Sequence, residues 1–214
     1  YCHQNVKIIG VSGGVSYGAL GSTHHAVQDI ALMRAFPGLQ VILPADANAA
    51  AQLTRALAAS DEPAYVRMGR GAVEDVYPPD APFIIGKANM LREGTDLTII
   101  ACGELVLPAL RAAETLKQRG IAAGVLDMHT IKPLDREAIC RAAQAGPILT
   151  IEEHSVLGGL GAAVAEVVCQ EQPTKMRILG LPDEVLYTGE SKDVFAHYGL
   201  TAEGIAQSAE ELLQ

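Results

Sequence analysis

Short β-branched runs, each closed by a turn and followed by an alanine-rich amphipathic stretch, recur along this chain, and that alternation restricts its fold more than any other feature. Val6-Lys7-Ile8-Ile9-Gly10, Leu39-Gln40-Val41-Ile42-Leu43 and Ala64-Tyr65-Val66-Arg67-Met68 read as buried strands. Between them the spacing predicts a helix opened by Thr23 as N-cap, with Ala26, Ile30, Ala31 and Ala35 on one face, and a second over 47–60 after Pro44-Ala45-Asp46. Strands separated by helices imply a parallel sheet covered on both faces. Val76-Tyr77-Pro78-Pro79-Asp80-Ala81-Pro82 breaks the rhythm, because such a run of prolines extends neither a helix nor a central strand. The rhythm then restarts, with strands over 97–102, 122–128, 148–151 and 176–180 and helices over 107–119, 135–143, 158–170 and 201–213. The expectation is two α/β domains with largely parallel sheets: residues 1–75, looking cut short at their start, a linker at 76–86, and residues 87–214.

Composition narrows the function classes. Of 214 residues 49% are hydrophobic and 19% charged, enough to bury a core and too apolar for a disordered chain. A net charge of -9 repels phosphate backbones and anionic lipid on average, so nucleic acid and membrane surfaces are not expected partners. Cys2, Cys102, Cys140 and Cys169 are scattered, with no C-x-x-C pair, which speaks against zinc and against a disulfide framework. They read as reduced thiols of a cytoplasmic protein, Cys102 and Cys140 as small buried hydrophobes.

Three stretches could carry chemistry. Gly18-Ala19-Leu20-Gly21-Ser22-Thr23-His24-His25 combines glycines that let backbone approach a ligand, a helix N-terminus suited to an anion, and His24 at the crevice edge as a proton donor or acceptor. It is neither G-x-G-x-x-G nor a Walker A loop, and the plain alternative is a glycine turn. Arg67 and Arg70 bracket the end of the third strand, where guanidinium groups suit a phosphate; taken alone, the residues fit better with being solvated or paired with nearby carboxylates. Glu152-Glu153-His154-Ser155 precedes Gly158-Gly159-Leu160-Gly161; Ser155 lacks a G-x-S-x-G elbow, so packing at an interface fits the stretch better than nucleophilic catalysis. His129 follows a strand and serves a turn.

Taken in order, Gly-x-x-Gly-x-Thr-His, Asp29-Ile30-Ala31-Leu32-Met33-Arg34, Pro44-Ala45-Asp46, Arg67-Met68-Gly69-Arg70, the stretch Leu91 to Ala101, His129-Thr130-Ile131-Lys132-Pro133 and Glu152-Glu153-His154-Ser155-x-x-Gly-Gly-Leu-Gly resemble the transketolase family over essentially the whole chain. The form resembled is the separately encoded C-terminal subunit of a split transketolase. The resemblance implies a thiamine-diphosphate-binding fold fragment, the pyrimidine-binding domain, followed by a C-terminal transketolase-like domain. It implies a thiamine-diphosphate enzyme that moves a two-carbon ketol unit between sugar phosphates. The cofactor would be shared with a diphosphate-binding partner subunit that holds Mg2+ or Ca2+, and self-association is expected. By position His24 matches the active-site histidine and Arg70 the arginine that grips the substrate phosphate. No cofactor or metal ligand is assigned to this chain, since neither the family's activating glutamate nor its Gly-Asp-Gly metal motif occurs in it. Leu20 stands where the family carries an aspartate that contacts sugar hydroxyls, which points to a changed substrate. The competing expectations are a deoxyxylulose-phosphate-synthase-like enzyme and a catalytically silent assembly domain of the same fold.

Overall fold

The computed structural model describes residues 4–214, so Cys2 lies outside the described residues. The chain forms two sheets, mostly parallel, with helices packed on them. The first contains β1 (Lys7–Val11), β2 (Gln40–Ile42), β3 (Ala64–Met68) and β7 (Thr130–Lys132) in the order β1-β3-β2-β7. The second contains β4 (Asn89–Arg92), β5 (Leu97–Ala101), β6 (Ala123–Asp127), β8 (Ile148–Ser155) and β9 (Met176–Leu181) in the order β4-β6-β5-β8-β9. Among the described residues only the β2–β7 and β4–β6 strand pairs are antiparallel. The α/β class with largely parallel sheets is therefore as the alternation predicts.

The strands are connected through helices α1 (Asp29–Ala35), α2 (Ala47–Ala58), α3 (Val106–Gln118), α4 (Arg136–Ala145), α5 (Leu160–Gln170), α6 (Ser191–His197) and α7 (Ala202–Leu213). β5 and β6 are buried along their whole length, as central strands covered on both faces require. On one face α3 and α7 meet through small side chains, Ala109, Ala112 and Ala113 against Ala206 and Ala209, in one apolar cluster with Ile99, Val125 and Leu149. On the other face α4 and α5 share a cluster with Ile30, Val41, Leu43 and Tyr65 of the first sheet's layer, so the two sheets are joined by a continuous core. Alanine abundance is what lets these helices sit close to the sheet.

Two aspartates do double duty. Asp46 caps α2, its Oδ1 accepting from Ala49 N at 2.7 Å, while its Oδ2 accepts from Val76 N at 2.6 Å and Tyr77 N at 2.8 Å. Asp135 caps α4 through Ala138 N at 3.1 Å and accepts from Ala88 N at 3.0 Å. The proline-rich segment is thereby clamped at both ends onto helix N-termini. Its Tyr77 is buried and donates to Asp127 Oδ2 at 2.6 Å. Residues 69–88 hold neither helix nor strand.

Several sequence expectations need correction. Thr23 is not an N-cap: α1 begins at Asp29, because Ala26 is held extended by a bridge to Gly14 and the Val27 carbonyl accepts from Ser155 N at 2.8 Å. The start of α1 is thereby displaced away from the glycine loop. The strand expected over 148–151 continues to Ser155, which puts Glu152, Glu153 and His154 inside the sheet rather than in a loop. Strands β4 and β7 and helix α6 have no counterpart in the sequence pattern; β7 covers the edge of β2, a pairing across more than 80 residues that local pattern does not show. Cys140 is half-buried, its thiol donating to Glu171 Oε2 at 3.3 Å, and not a core hydrophobe, whereas Cys102 is buried.

Candidate active site

The C-terminal ends of β1 and β3 lie side by side, Val11 opposite Met68, and the chain leaving β1 folds over them. Gly13 N donates to the Met68 carbonyl at 3.0 Å. Gly14 has φ of 61°, and a Cβ on it would stand 2.1 Å from Glu153 Cδ, so only glycine fits. Glu153, reaching from β8, accepts from Val15 N at 2.7 Å and so ties the glycine loop to the second sheet.

Beneath this loop lies a buried charged cluster. Arg67, 5% exposed, donates to the Glu153 carbonyl at 2.7 Å and pairs with Glu153 Oε2 at 3.4 Å and Asp29 Oδ2 at 3.5 Å. Tyr65 Oη donates to the same Asp29 Oδ2 at 2.7 Å. Burial pushes the Glu153 carboxyl up to about 7, against the pull of the Arg67 guanidinium. Burial and the bond to Asp29 also push the Tyr65 phenol up. Arg67 is thus committed to the frame, the carboxylate-pairing alternative of the two weighed for it.

From the other side the loop rests on the segment leading into α6. Ser191 Oγ donates to the Val15 carbonyl at 2.8 Å, and a Cβ on Gly18 would lie 2.3 Å from the Gly189 carbonyl oxygen. With its inner face held by Glu153, Ser191 and Gly189, the loop turns Tyr17, Leu20 and His24 toward solvent. Leu20 is 56% exposed, an apolar side chain where water would favour a polar one. His24 is exposed and shares a hydrogen bond of 2.9 Å between Nδ1 and Thr23 Oγ1, which leaves Nε2 available in either tautomer.

Arg70, just beyond β3, is exposed, and its guanidinium carbon stands 4.0 Å from the centroid of the Tyr17 ring. The Tyr17 and His24 rings are 6.0 Å apart between centroids, inclined at 58°. Two residues distant in sequence, His24 and Arg70, are therefore brought to one rim, with Tyr17 between them. Tyr17 was missed in the sequence, although its place in Val15-Ser16-Tyr17-Gly18, the only aromatic of a glycine-rich loop, was a signal. A neighbouring cleft of about 290 Å³, lined by Asp46, Ala50, Gly69, Val73 and Glu104, contains none of the three.

The Glu152–Ser155 stretch turns out to be architecture. Both Glu152 oxygens receive amides from the first turn of α5, Leu160 N at 2.6 Å and Gly161 N at 2.8 Å. His154 Nδ1 bonds the Ser155 carbonyl at 2.7 Å, and its Nε2 accepts from Ala31 N of α1 at 3.3 Å, which needs a neutral ring; burial lowers its basicity accordingly. Ser155 Oγ accepts from Leu157 N at 3.2 Å and has no base beside it among the described residues. His129 is fully buried rather than in an open turn, its ring edge-on to Phe83 at 5.0 Å, and burial pushes its pKa down to about 4. Among the described residues no group of His, Cys, Asp or Glu could hold a metal ion.

Comparison with known proteins bears on this arrangement. The family model for the transketolase pyrimidine-binding domain matches residues 1–75, and that for the transketolase C-terminal domain matches residues 86–205. An apulose-4-phosphate transketolase subunit of Phocaeicola vulgatus is 54% identical over 100% of this chain and 69% of its own length. 1-deoxy-D-xylulose-5-phosphate synthase 1 of Geobacter sulfurreducens is 38% identical over 99% of this chain, but only 34% of that protein is covered. A solved split-gene transketolase, described as an inactive beta4 tetramer, superposes with a TM-score of 0.88 at 40% identity, covering 98% of this chain and 66% of its own.

Proposed function

Because the chain belongs to the transketolase family, we propose that it acts as the substrate-rim subunit of a two-chain transketolase, transferring a two-carbon ketol unit from a branched or otherwise altered ketose phosphate. The observation that carries the reading is the rim itself: on either side of one aromatic ring stand an exposed histidine and an arginine, with no partner on the histidine Nε2 and no carboxylate on the arginine among the described residues. Thiamine diphosphate, implied by the family, supplies the carbanion-stabilising chemistry when bound. This chain offers it an exposed rim at the carboxyl ends of parallel strands, where open α/β folds receive ligands. It offers the accompanying divalent ion no ligand cluster among the described residues. In this proposal, as the family resemblance implies, a partner subunit holds the diphosphate and its Mg2+ or Ca2+, and the association of the two chains completes the site.

In this reading Arg70 takes the substrate phosphate through charge-assisted N–H bonds, and His24 Nε2 donates to or accepts from a hydroxyl or carbonyl oxygen near the reacting carbon. Leu20 removes a hydrogen-bond acceptor from the sugar-binding wall. An aspartate there would reject an epimer that leaves it unpaired, at a cost of about 1–3 kcal/mol, whereas leucine prefers a sugar with a carbon branch or no hydroxyl at that position. The name of the 54% identical relative, an apulose-4-phosphate transketolase subunit, supports a phosphorylated substrate other than the ordinary pentoses. The fraction of the synthase that this chain spans gives the deoxyxylulose-phosphate-synthase reading less support.

The test is to co-express the chain with a diphosphate-binding transketolase subunit and assay ketol transfer from xylulose 5-phosphate and from a panel of branched and deoxy ketose phosphates. Preference for the altered sugars, with Leu20→Asp shifting it toward xylulose 5-phosphate, is the expected result. Wild-type preference for xylulose 5-phosphate that the substitution leaves unmoved would reject the role of Leu20, and no transfer from any donor would favour the silent assembly domain.

A further inference from the structure

We propose that Tyr17 is a positioning residue that presents Arg70 to the anionic end of the substrate, a phosphate, with all its N–H edges free; the inference rests on the reading of Arg70 as the anion-binding residue. The guanidinium carbon lies 4.0 Å from the Tyr17 ring centroid, a cation–π contact rather than a hydrogen bond. Such a contact consumes no carboxylate pairing and leaves the N–H donors of the group for a two-point contact to a phosphate. Arg67, three residues earlier, shows the contrasting use of the same group: its N–H bonds are consumed by Glu153 and Asp29. Arg70 pairs with no carboxylate among the described residues, and the Tyr17 ring is the contact the structure gives its guanidinium.

Tyr17 is itself well anchored. The amide of Val15 is bound by Glu153, the carbonyl of Val15 receives Ser191 Oγ, and Gly18 N donates to the Val15 carbonyl at 2.7 Å. The phenol therefore stands on a loop fixed to the second sheet, and it is this rigidity that the long Arg70 side chain borrows. The same ring stands 6.0 Å from the His24 ring between centroids, inclined at 58°.

The experiment uses the reconstituted two-subunit enzyme with Tyr17→Phe, Tyr17→Leu, Arg70→Gln and the Tyr17→Leu/Arg70→Gln pair. Steady-state constants are measured for a ketose phosphate and its unphosphorylated ketose, with the inhibition constant of inorganic phosphate as a second readout. Tyr17→Leu should raise KM for the phosphorylated sugar and the inhibition constant for phosphate by about two- to fivefold, the size of one exposed cation–π contact. It should leave kcat and the constants for the unphosphorylated ketose unchanged within error, as expected of a residue that acts on the phosphate through the arginine. Tyr17→Phe, which keeps the ring, should behave as wild type, and Tyr17→Leu should add nothing in the Arg70→Gln background. Equal effects on phosphorylated and unphosphorylated sugars, or a further loss in the Arg70→Gln background, would overturn the proposal. If Arg70→Gln alone leaves the phosphorylated constants unchanged, the reading of Arg70 falls and this inference with it, whatever Tyr17→Leu does.

Discussion

Replacing Arg67 by methionine tests whether the charged cluster under the glycine loop is the frame of the site. Methionine roughly keeps the length of the side chain and removes the guanidinium. Glu153 then loses the pairs at 2.7 and 3.4 Å and Asp29 the one at 3.5 Å, and both carboxylates stay in place with only Val15 N and Tyr65 Oη donating to them. Stripping one partner from a buried ion pair costs about 3–5 kcal/mol. For a chain of this size each kcal/mol corresponds to about 2–4 °C in Tm, so the expected drop is roughly 6–20 °C at fixed protein concentration. The cost should depend on pH. In the wild type burial already holds Glu153 at about 7, and without Arg67 it titrates higher still. A carboxyl raised above its unfolded value contributes stability that is complete below about 4.5 and lost as pH rises through the folded value. The variant keeps losing stability above pH 7, where the wild type has stopped, so its deficit is larger at pH 8.5 than at pH 5.5. Calorimetric melts at the two pH values provide the assay, and adding Glu153→Gln should restore part of the pH 8.5 deficit by removing the stranded charge. A loss below about 1 kcal/mol, or a deficit equal at both pH values, refutes the reasoning, because surface ion pairs behave that way and buried ones do not.

Three further outcomes follow from the same geometry. Gly14→Ala should cost at least about 2 kcal/mol and depress activity in the reconstituted enzyme, because the methyl group collides with Glu153 and the residue sits at φ 61°; a melt within 2 °C of wild type contradicts this. Asp46→Ala removes a helix cap worth about 1 kcal/mol together with the bonds to Val76 and Tyr77, so limited proteolysis should begin within residues 69–88, and cleavage elsewhere first argues against the clamp. Glu152, Glu153 and Asp127 are each raised to about 7 by burial, so wild-type stability should fall between pH 4.5 and 7 and level off above; His129, lowered to about 4, partly offsets the slope below pH 6.5, and a stability that rises from pH 6.5 to 7.5 is the contrary result.

The elements legible in the sequence are those whose stability is local. The strands β5 and β6 announce themselves by short, largely apolar runs bounded by turns, and α2 by an Asp cap followed by Ala49, Leu53 and Leu57 at helical spacing. What the pattern misplaced is held by distant partners. Residues 23–28 precede a helical face, yet Ala26 bonds Gly14 and Val27 bonds Ser155, and with Thr, His and Val weak helix formers these two tertiary backbone pairings decide the conformation. β7 is three residues long and exists only because the edge of β2 is there to receive it. Glu152, Glu153 and His154 look like catalytic residues in a list of letters because their polar atoms are conspicuous. In the fold every one of those atoms that matters is spent on a backbone amide, a carbonyl or Arg67.

That contrast separates frame from site more sharply than residue type can. Arg67 and Arg70 are the same residue three positions apart, and apart from the family resemblance nothing in the local sequence distinguishes them. In the fold, alternation along β3 turns Arg67 inward beneath the loop, where two carboxylates meet it, while Gly69 ends the strand and releases Arg70 to the surface. His24 and His154 divide in the same way, one with a free Nε2 and the other with both nitrogens bonded. A polar group whose hydrogen-bonding capacity is already consumed inside the fold cannot also bind a ligand without breaking what holds the loop. The proposed function accordingly draws its chemistry from groups left over at the rim, Arg70 and His24, and its selectivity from the two side chains beside them, Tyr17 and Leu20.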